Sequence, residues 1–185
     1  DLSVTNTYHC CTRAVRKAFI LDDSNDLIDI HERTKDKENR IDRRKWIEDR
    51  ILLLTSVFAI DVCAYAVMSN HYHVILKVHS SIAQIWDKTE IITRWHKIYK
   101  GTDLSRAYLK GEPLTEIESK IVDEFAESCR LKLFDISWFM RNINEPLARI
   151  ANKEDNCSGR FWESRFKSQA LLDEKALLTC MAYVD

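Results

Sequence analysis

The chain has 185 residues, 45% hydrophobic and 31% charged, with 28 Lys and Arg against 29 Asp and Glu for a net charge of −1. That balance excludes an intrinsically disordered chain and a protein held to duplex DNA by overall charge alone, so a nucleic-acid partner must meet a local basic face. No stretch approaches the ~20 apolar residues of a membrane helix, no signal peptide is visible, and only 3 Gly and 2 Pro favour long regular elements in one domain over residues 1–185.

The six cysteines, at positions 10, 11, 63, 129, 157 and 180, contain no CxxC pair. A zinc ribbon is therefore excluded by spacing, and reduced thiols in a cytoplasmic protein are the expected state.

Residues 8–14 read as a first strand, rich in β-tolerant side chains, with Cys10 and Cys11 on opposite faces. Arg13, Arg16 and Lys17 gather charge at its end, which suits phosphate contact and a solvated strand end equally well. Residues 19–21 are an apolar run and 22–26 a polar loop. Over 39–56 the period becomes helical, with Trp46, Ile47, Ile51 and Leu54 on the apolar side and Arg40, Arg43, Arg44, Lys45 and Arg50 around them.

Residues 58–68 predict a second strand, with Phe58, Ile60, Val62, Ala64 and Ala66 on one face. The short polar turn Ser69-Asn70 then leads directly into a third strand, His71 to Val78, so the two strands form an antiparallel hairpin. Period-two alternation puts His71 and His73 on one face and Tyr72, Val74, Leu76 and Val78 on the other, apolar one. Two imidazoles side by side on a stiff strand form half of a metal site. The same pattern also describes ordinary surface or core histidines, so the motif alone decides nothing.

Residues 81–100 predict a second helix carrying Ile82, Ile85, Trp86, Ile92, Trp95 and Tyr99. One more strand then completes an α+β, ferredoxin-like antiparallel sheet of order βαββαβ. That strand is delayed by an all-helical insertion over residues 101–155. Thr115 and Glu118 have capping-box spacing for a helix running to about Leu133. Ser137 is the expected cap of the next helix, which Pro146 should bend or divide. Arg141, Asn144, Arg149 and Asn152 give it a polar side that fits phosphate or base edges, or simply water.

Residues 160–172 read as the last strand, with Arg160, Arg165 and Lys167 interleaved among Phe161, Trp162 and Phe166. Aromatic and basic residues in alternation suit single-stranded nucleic acid, and equally an edge strand packed on a helix. Asp173 then caps a final helix with Leu177, Leu178 and Met181 toward the core and Tyr183 in the next turn. The helical pattern is still running at Asp185, which predicts a truncated C-terminal helix.

Three stretches together resemble a known family: Cys63-Ala64-Tyr65-Ala66-Val67-Met68-Ser69-Asn70-His71-Tyr72-His73, the run from Gly159-Arg160-Phe161-Trp162-Glu163 to Ser168, and Ala182-Tyr183-Val184-Asp185. They are similar to the single-tyrosine HUH transposases, in the branch of REP-associated tyrosine transposases, and the resemblance runs from Tyr8 onward. It implies metal-dependent cleavage and strand transfer of single-stranded DNA through a 5′-phosphotyrosine, on hairpin or palindromic DNA. Under it, His71 and His73 match the ligands of Mg²⁺ or Mn²⁺, and Tyr183 matches the nucleophile. The family's third ligand, a Gln or Asn one helical turn after the tyrosine, would fall past Asp185.

The DNA contacts expected alongside are Arg13, Arg16, Arg141, Arg149, Arg160, Arg165 and Lys167, in a bacterial, nucleoid-associated protein with no membrane partner. Both a monomer and a homodimer are compatible with the resemblance. The alternative reading is a domesticated protein that binds DNA hairpins without cutting them.

Overall fold

In the strand β1 (Thr7–Arg13), Cys10 and Thr12 sink into the interior while His9, Cys11 and Arg13 turn to the opposite face. This computed structural model describes residues 5–15 and 41–184. Arg16, Lys17 and the 19–26 stretch lie outside the described residues.

β1 is followed by the helix α1 (Arg43–Thr55), the hairpin β2 (Ile60–Val67) and β3 (His71–Val78), and the helices α2 (Ser80–Ile85), α3 (Lys88–His96), α4 (Asp103–Leu109), α5 (Glu116–Lys132) and α6 (Ile136–Glu154). The strand β4 (Lys167–Ala170) and the helix α7 (Glu174–Val184) complete the order. The four strands lie β2-β3-β1-β4, every neighbour antiparallel, which is the ferredoxin-like arrangement that the βαββαβ order predicts.

The main core lies on one face of this sheet. Tyr72, Val74, Leu76 and Val78 of β3 are buried there against Ile47, Ile51 and Leu54 of α1 and Phe139, Met140, Ile143 and Leu147 of α6. Three-to-four spacing on both helices makes each apolar stripe continuous. Tyr72 is fully buried, and its hydroxyl donates to Asn144 Oδ1 at 2.8 Å. An unmade bond at such a site would cost about 1–3 kcal/mol, so the partner on α6 is required by burial itself. The helix packed beside α1 is α6, from within the 101–155 segment. On the other face, Ile75 and Leu171 form a smaller core with Ala176, Leu177, Cys180 and Met181 of α7.

Several local expectations are corrected. In β2, Val62 pairs with Leu76 but Ala64 pairs with Ile75, so a bulge at Cys63 reverses the alternation. Ile60 and Val62 therefore belong with the main core, whereas Ala64 and Ala66 pack in the smaller core under α7. Their small side chains leave room for the helix.

The predicted helix over 81–100 is two helices. Trp86 is extended (ψ 135°) and Asp87 accepts from the Glu90 N–H at 2.7 Å, starting α3 afresh. Arg130 donates to the carbonyls of Ala83 and Trp86 at this break, and the Arg94 guanidinium lies over the Trp86 ring at 4.0 Å. Asp135, not Ser137, caps α6, accepting from the N–H groups of Ser137 and Trp138. Pro146 lies inside an unbroken helix. The capping box of Thr115 and Glu118 forms as expected and α5 runs to Lys132.

The last strand is only Lys167–Ala170, preceded by an isolated bridge between Trp162 and Ala14. Phe161 is buried, Trp162 and Phe166 pack against the main core, and Trp162 Nε1 donates to the Asn144 carbonyl at 2.8 Å. Burial of these aromatics, in place of alternation along a strand, shapes residues 160–166. Asp173 does cap α7, accepting from the Ala176 N–H, but Leu178 is 59% exposed rather than directed to the core. All six cysteines are thiols rather than disulfides. Among the described residues, no helix is long and apolar enough to cross a membrane.

Candidate functional site

The tight turn between β2 and β3, closed by Met68 N–H donating to the His71 carbonyl at 2.9 Å, sets His71 at the first position of β3. The antiparallel register then puts Arg13 opposite His71 and Cys11 opposite His73, with Lys167 on the far side of Cys11. Side chains on one face of three adjacent strands thus converge.

The imidazoles touch in a chain. The rings of His71 and His73 meet edge-on, 5.0 Å between centroids, and His9 lies edge to edge with His73, nearly coplanar, at 5.0 Å with 15° between planes. His9 Nε2 lies 2.8 Å from His73 Nδ1, a hydrogen bond in which either nitrogen can be the donor. His71 Nδ1 lies 2.7 Å from Asn70 Oδ1. A carbonyl oxygen can only accept, so His71 carries its proton on Nδ1 and its lone pair on Nε2. Cys11 Sγ stands 4.0 Å from His73 Nε2.

Burial keeps these rings neutral. It lowers the pKa of His9, and of His71, where the nearby Arg13 charge adds to the effect. His73 is pushed down to about 4 by burial first, then by His9, His71 and Arg13. Cys11 is pushed up by burial, against the pull of Arg13 and Lys167, and so stays a thiol. Neutral imidazoles are the form that binds metal. His71 and His73 fit a divalent cation as two of its ligands. Among the described residues, no group of three or more His, Cys, Asp or Glu side chains assembles as a complete metal-binding set.

Beside the histidines, Cys11, Arg13, Glu163, Ser164, Arg165 and Lys167 line a cavity of about 150 Å³. Its far wall is held to β1 by the Glu163 N–H donating to the Arg13 carbonyl at 2.9 Å. Three cations and one carboxylate around that volume suit a phosphate group.

The basic residues singled out in the sequence therefore separate. Arg13, Arg165 and Lys167 come together at the cavity, while Arg160 is exposed on the loop after α6. Arg141 and Arg149 both pair with Glu145, at 2.7 and 3.3 Å, on the helix that covers the opposite face of the sheet. Position 183 is in the last turn of α7, the helix packed on Ile75, which shares the sheet face of His71 and His73.

Four participants were not singled out from the sequence: His9, Cys11 and Glu163 as side chains of the site, and Asn70 as more than a turn residue. Alternation in β1 carries a signal for His9, Cys11 and Arg13 sharing a face. The pairing that brings them to His73 and His71 has none.

No protein-family model and no curated protein matches the chain. Among solved structures the chain is similar to a REP-associated tyrosine transposase bound to a REP hairpin, at 11% identity and a TM-score of 0.46, over 97% of this chain and 64% of that one. The chain thus spans a little under two thirds of that protein's length. At that identity and TM-score the likeness assigns neither fold nor function.

Proposed function

We propose that the chain is a single-tyrosine, HUH-type DNA transesterase that cuts and rejoins single-stranded DNA at hairpin or palindromic sites. Tyr183 is the nucleophile, and His71 and His73 hold Mg²⁺ or Mn²⁺. The observation that carries this reading is that the sheet face bearing His71 and His73 is the face on which α7, the helix that contains position 183, packs through Ile75. The motif resemblance across residues 63–73, 159–168 and 182–185 accords with it.

In the reaction, a bond forms between the phenolic oxygen and phosphorus as the bond from phosphorus to the 3′-oxygen breaks. The phenolic proton ends on the released 3′-hydroxyl. The ester bond is conserved in the 5′-phosphotyrosine, so rejoining needs no outside energy source. A bound divalent cation would supply positive charge against the non-bridging phosphate oxygens. Arg13, Arg165 and Lys167 seat a DNA phosphate in the adjoining cavity. Arg16, Arg141, Arg149 and Arg160 act as further backbone contacts, in a bacterial, nucleoid-associated protein.

A hairpin oligonucleotide incubated with the protein and Mn²⁺ should give a covalent protein–DNA adduct that is lost in Tyr183→Phe and in His71→Ala. An adduct that survives chelation or Tyr183→Phe removes this assignment. The cationic cavity of Arg13, Arg165 and Lys167, which holds a phosphate without any metal, supports a second reading, hairpin binding without cleavage. Tight binding with no adduct would establish it.

A further inference from the structure

We infer that His9 is a positioning residue of this site, an acceptor that holds the His73 ring so that its Nε2 is presented to a divalent cation. The inference rests on the reading of His71 and His73 as metal ligands. A histidine that binds metal through Nε2 carries its proton on Nδ1, and that N–H needs an acceptor to fix the ring and its tautomer. His71 has one in Asn70 Oδ1 at 2.7 Å. For His73 the group at Nδ1 is His9 Nε2, at 2.8 Å.

The geometry comes from the sheet. His9 pairs with Ile75 and Cys11 with His73, so His9 reaches His73 along the diagonal between β1 and β3, where the two rings lie edge to edge within 15° of coplanar. Each ring of the pair is thus held at the same atom by a different neighbour, one from the turn and one from the adjacent strand. Neither holder touches the cation. With both Nδ1 atoms engaged, Nε2 is the nitrogen each ring would offer a cation, which on His73 would replace the 4.0 Å contact with Cys11 Sγ.

Two substitutions separate the hydrogen bond from the bulk of the ring. His9→Phe keeps a flat ring against His73 but removes the acceptor, and His9→Gln places a carbonyl oxygen near the position of Nε2. Mn²⁺ binding to the whole chain, followed by calorimetry and by the electron paramagnetic resonance of free Mn²⁺, should weaken about 10–100-fold in His9→Phe. His9→Gln should stay within a few-fold of the unsubstituted protein. His9→Met, flexible and without an oxygen or nitrogen acceptor, repeats the first arm if the Phe variant unfolds.

Equal Mn²⁺ affinity in His9→Phe and the unsubstituted protein, or equal weakening in His9→Phe and His9→Gln, overturns the role of His9 while leaving the two ligands in place. An unsubstituted protein that binds no Mn²⁺ overturns the ligand assignment, and the role of His9 with it.

Discussion

Arg50 Nε donates to the carbonyl of Asn142 at 2.9 Å, the carbonyl that Pro146, lacking an N–H four residues on, leaves without its helical partner. Its Nη2 also reaches Asn142 Oδ1 at 3.4 Å, while Asn142 Nδ2 donates back to the Trp138 carbonyl. A side chain from α1 thus repairs the hydrogen-bond ladder of α6, and the helix continues through a proline expected to bend or divide it. Arg50→Met should destabilise the fold by about 1–3 kcal/mol, the cost of an unsatisfied buried acceptor. In a Pro146→Ala background, where the helix supplies its own donor, the same substitution should cost less. Chemical denaturation of the four proteins of this cycle measures the difference.

The Tyr72 hydroxyl ties the histidine strand to α6 through Asn144, whose Nδ2 donates in turn to Thr12 Oγ1 at 3.3 Å on β1. Tyr72→Phe leaves Asn144 Oδ1 without that donor and should lower stability by about 1–2 kcal/mol, read from the urea midpoint. Because the hydroxyl lies on the face opposite His71 and His73, Mn²⁺ affinity should remain within a few-fold.

The histidines make stability depend on pH in a stated direction. His73 titrates near 4 in the folded protein against an ordinary 6.5, and His9 and His71 are lowered as well. Between those values the unfolded chain binds more protons than the folded one, so stability is full above about pH 6.5 and falls as the pH drops toward 4. Thermal unfolding scanned from pH 7.5 to 4.5 should show this loss. His73→Gln, which removes the largest of the three shifts, should show a shallower one.

Arg13, Arg165 and Lys167 share their cavity with one carboxylate, Glu163. Replacing the three cations by Gln should weaken single-stranded DNA binding and flatten the slope of log K against log salt by about 0.7, the value for the one phosphate they seat. Glu163→Gln should strengthen binding, since it removes the anion facing the phosphate. Arg141→Gln should have a smaller effect than Arg13→Gln, because Arg141 is already paired with Glu145 at 2.7 Å. Fluorescence anisotropy at several salt concentrations measures all three.

What the sequence determined by itself is the local, periodic part of this protein. Alternation set the buried face of β3 from Tyr72 to Val78, and with it the shared face of His71 and His73. Helical spacing placed Ile47, Ile51 and Leu54, the Thr115–Glu118 capping box opened α5, and the two-residue turn made the hairpin. Each depends on neighbours a few residues apart, so each is legible without a fold.

Tertiary structure decided whatever depends on a partner distant in the chain. The bulge at Cys63 follows from how β2 must pair with β3. The short β4 follows from the burial of Phe161 and the bond from Trp162 to Asn144. The path of α6 through Pro146 depends on Arg50, and the convergence of His9, Cys11, Arg13, Arg165 and Lys167 around His71 and His73 depends on strand register. Register is chosen by the whole sheet minimising exposed apolar area and unpaired backbone groups, a sum that no local window of sequence contains.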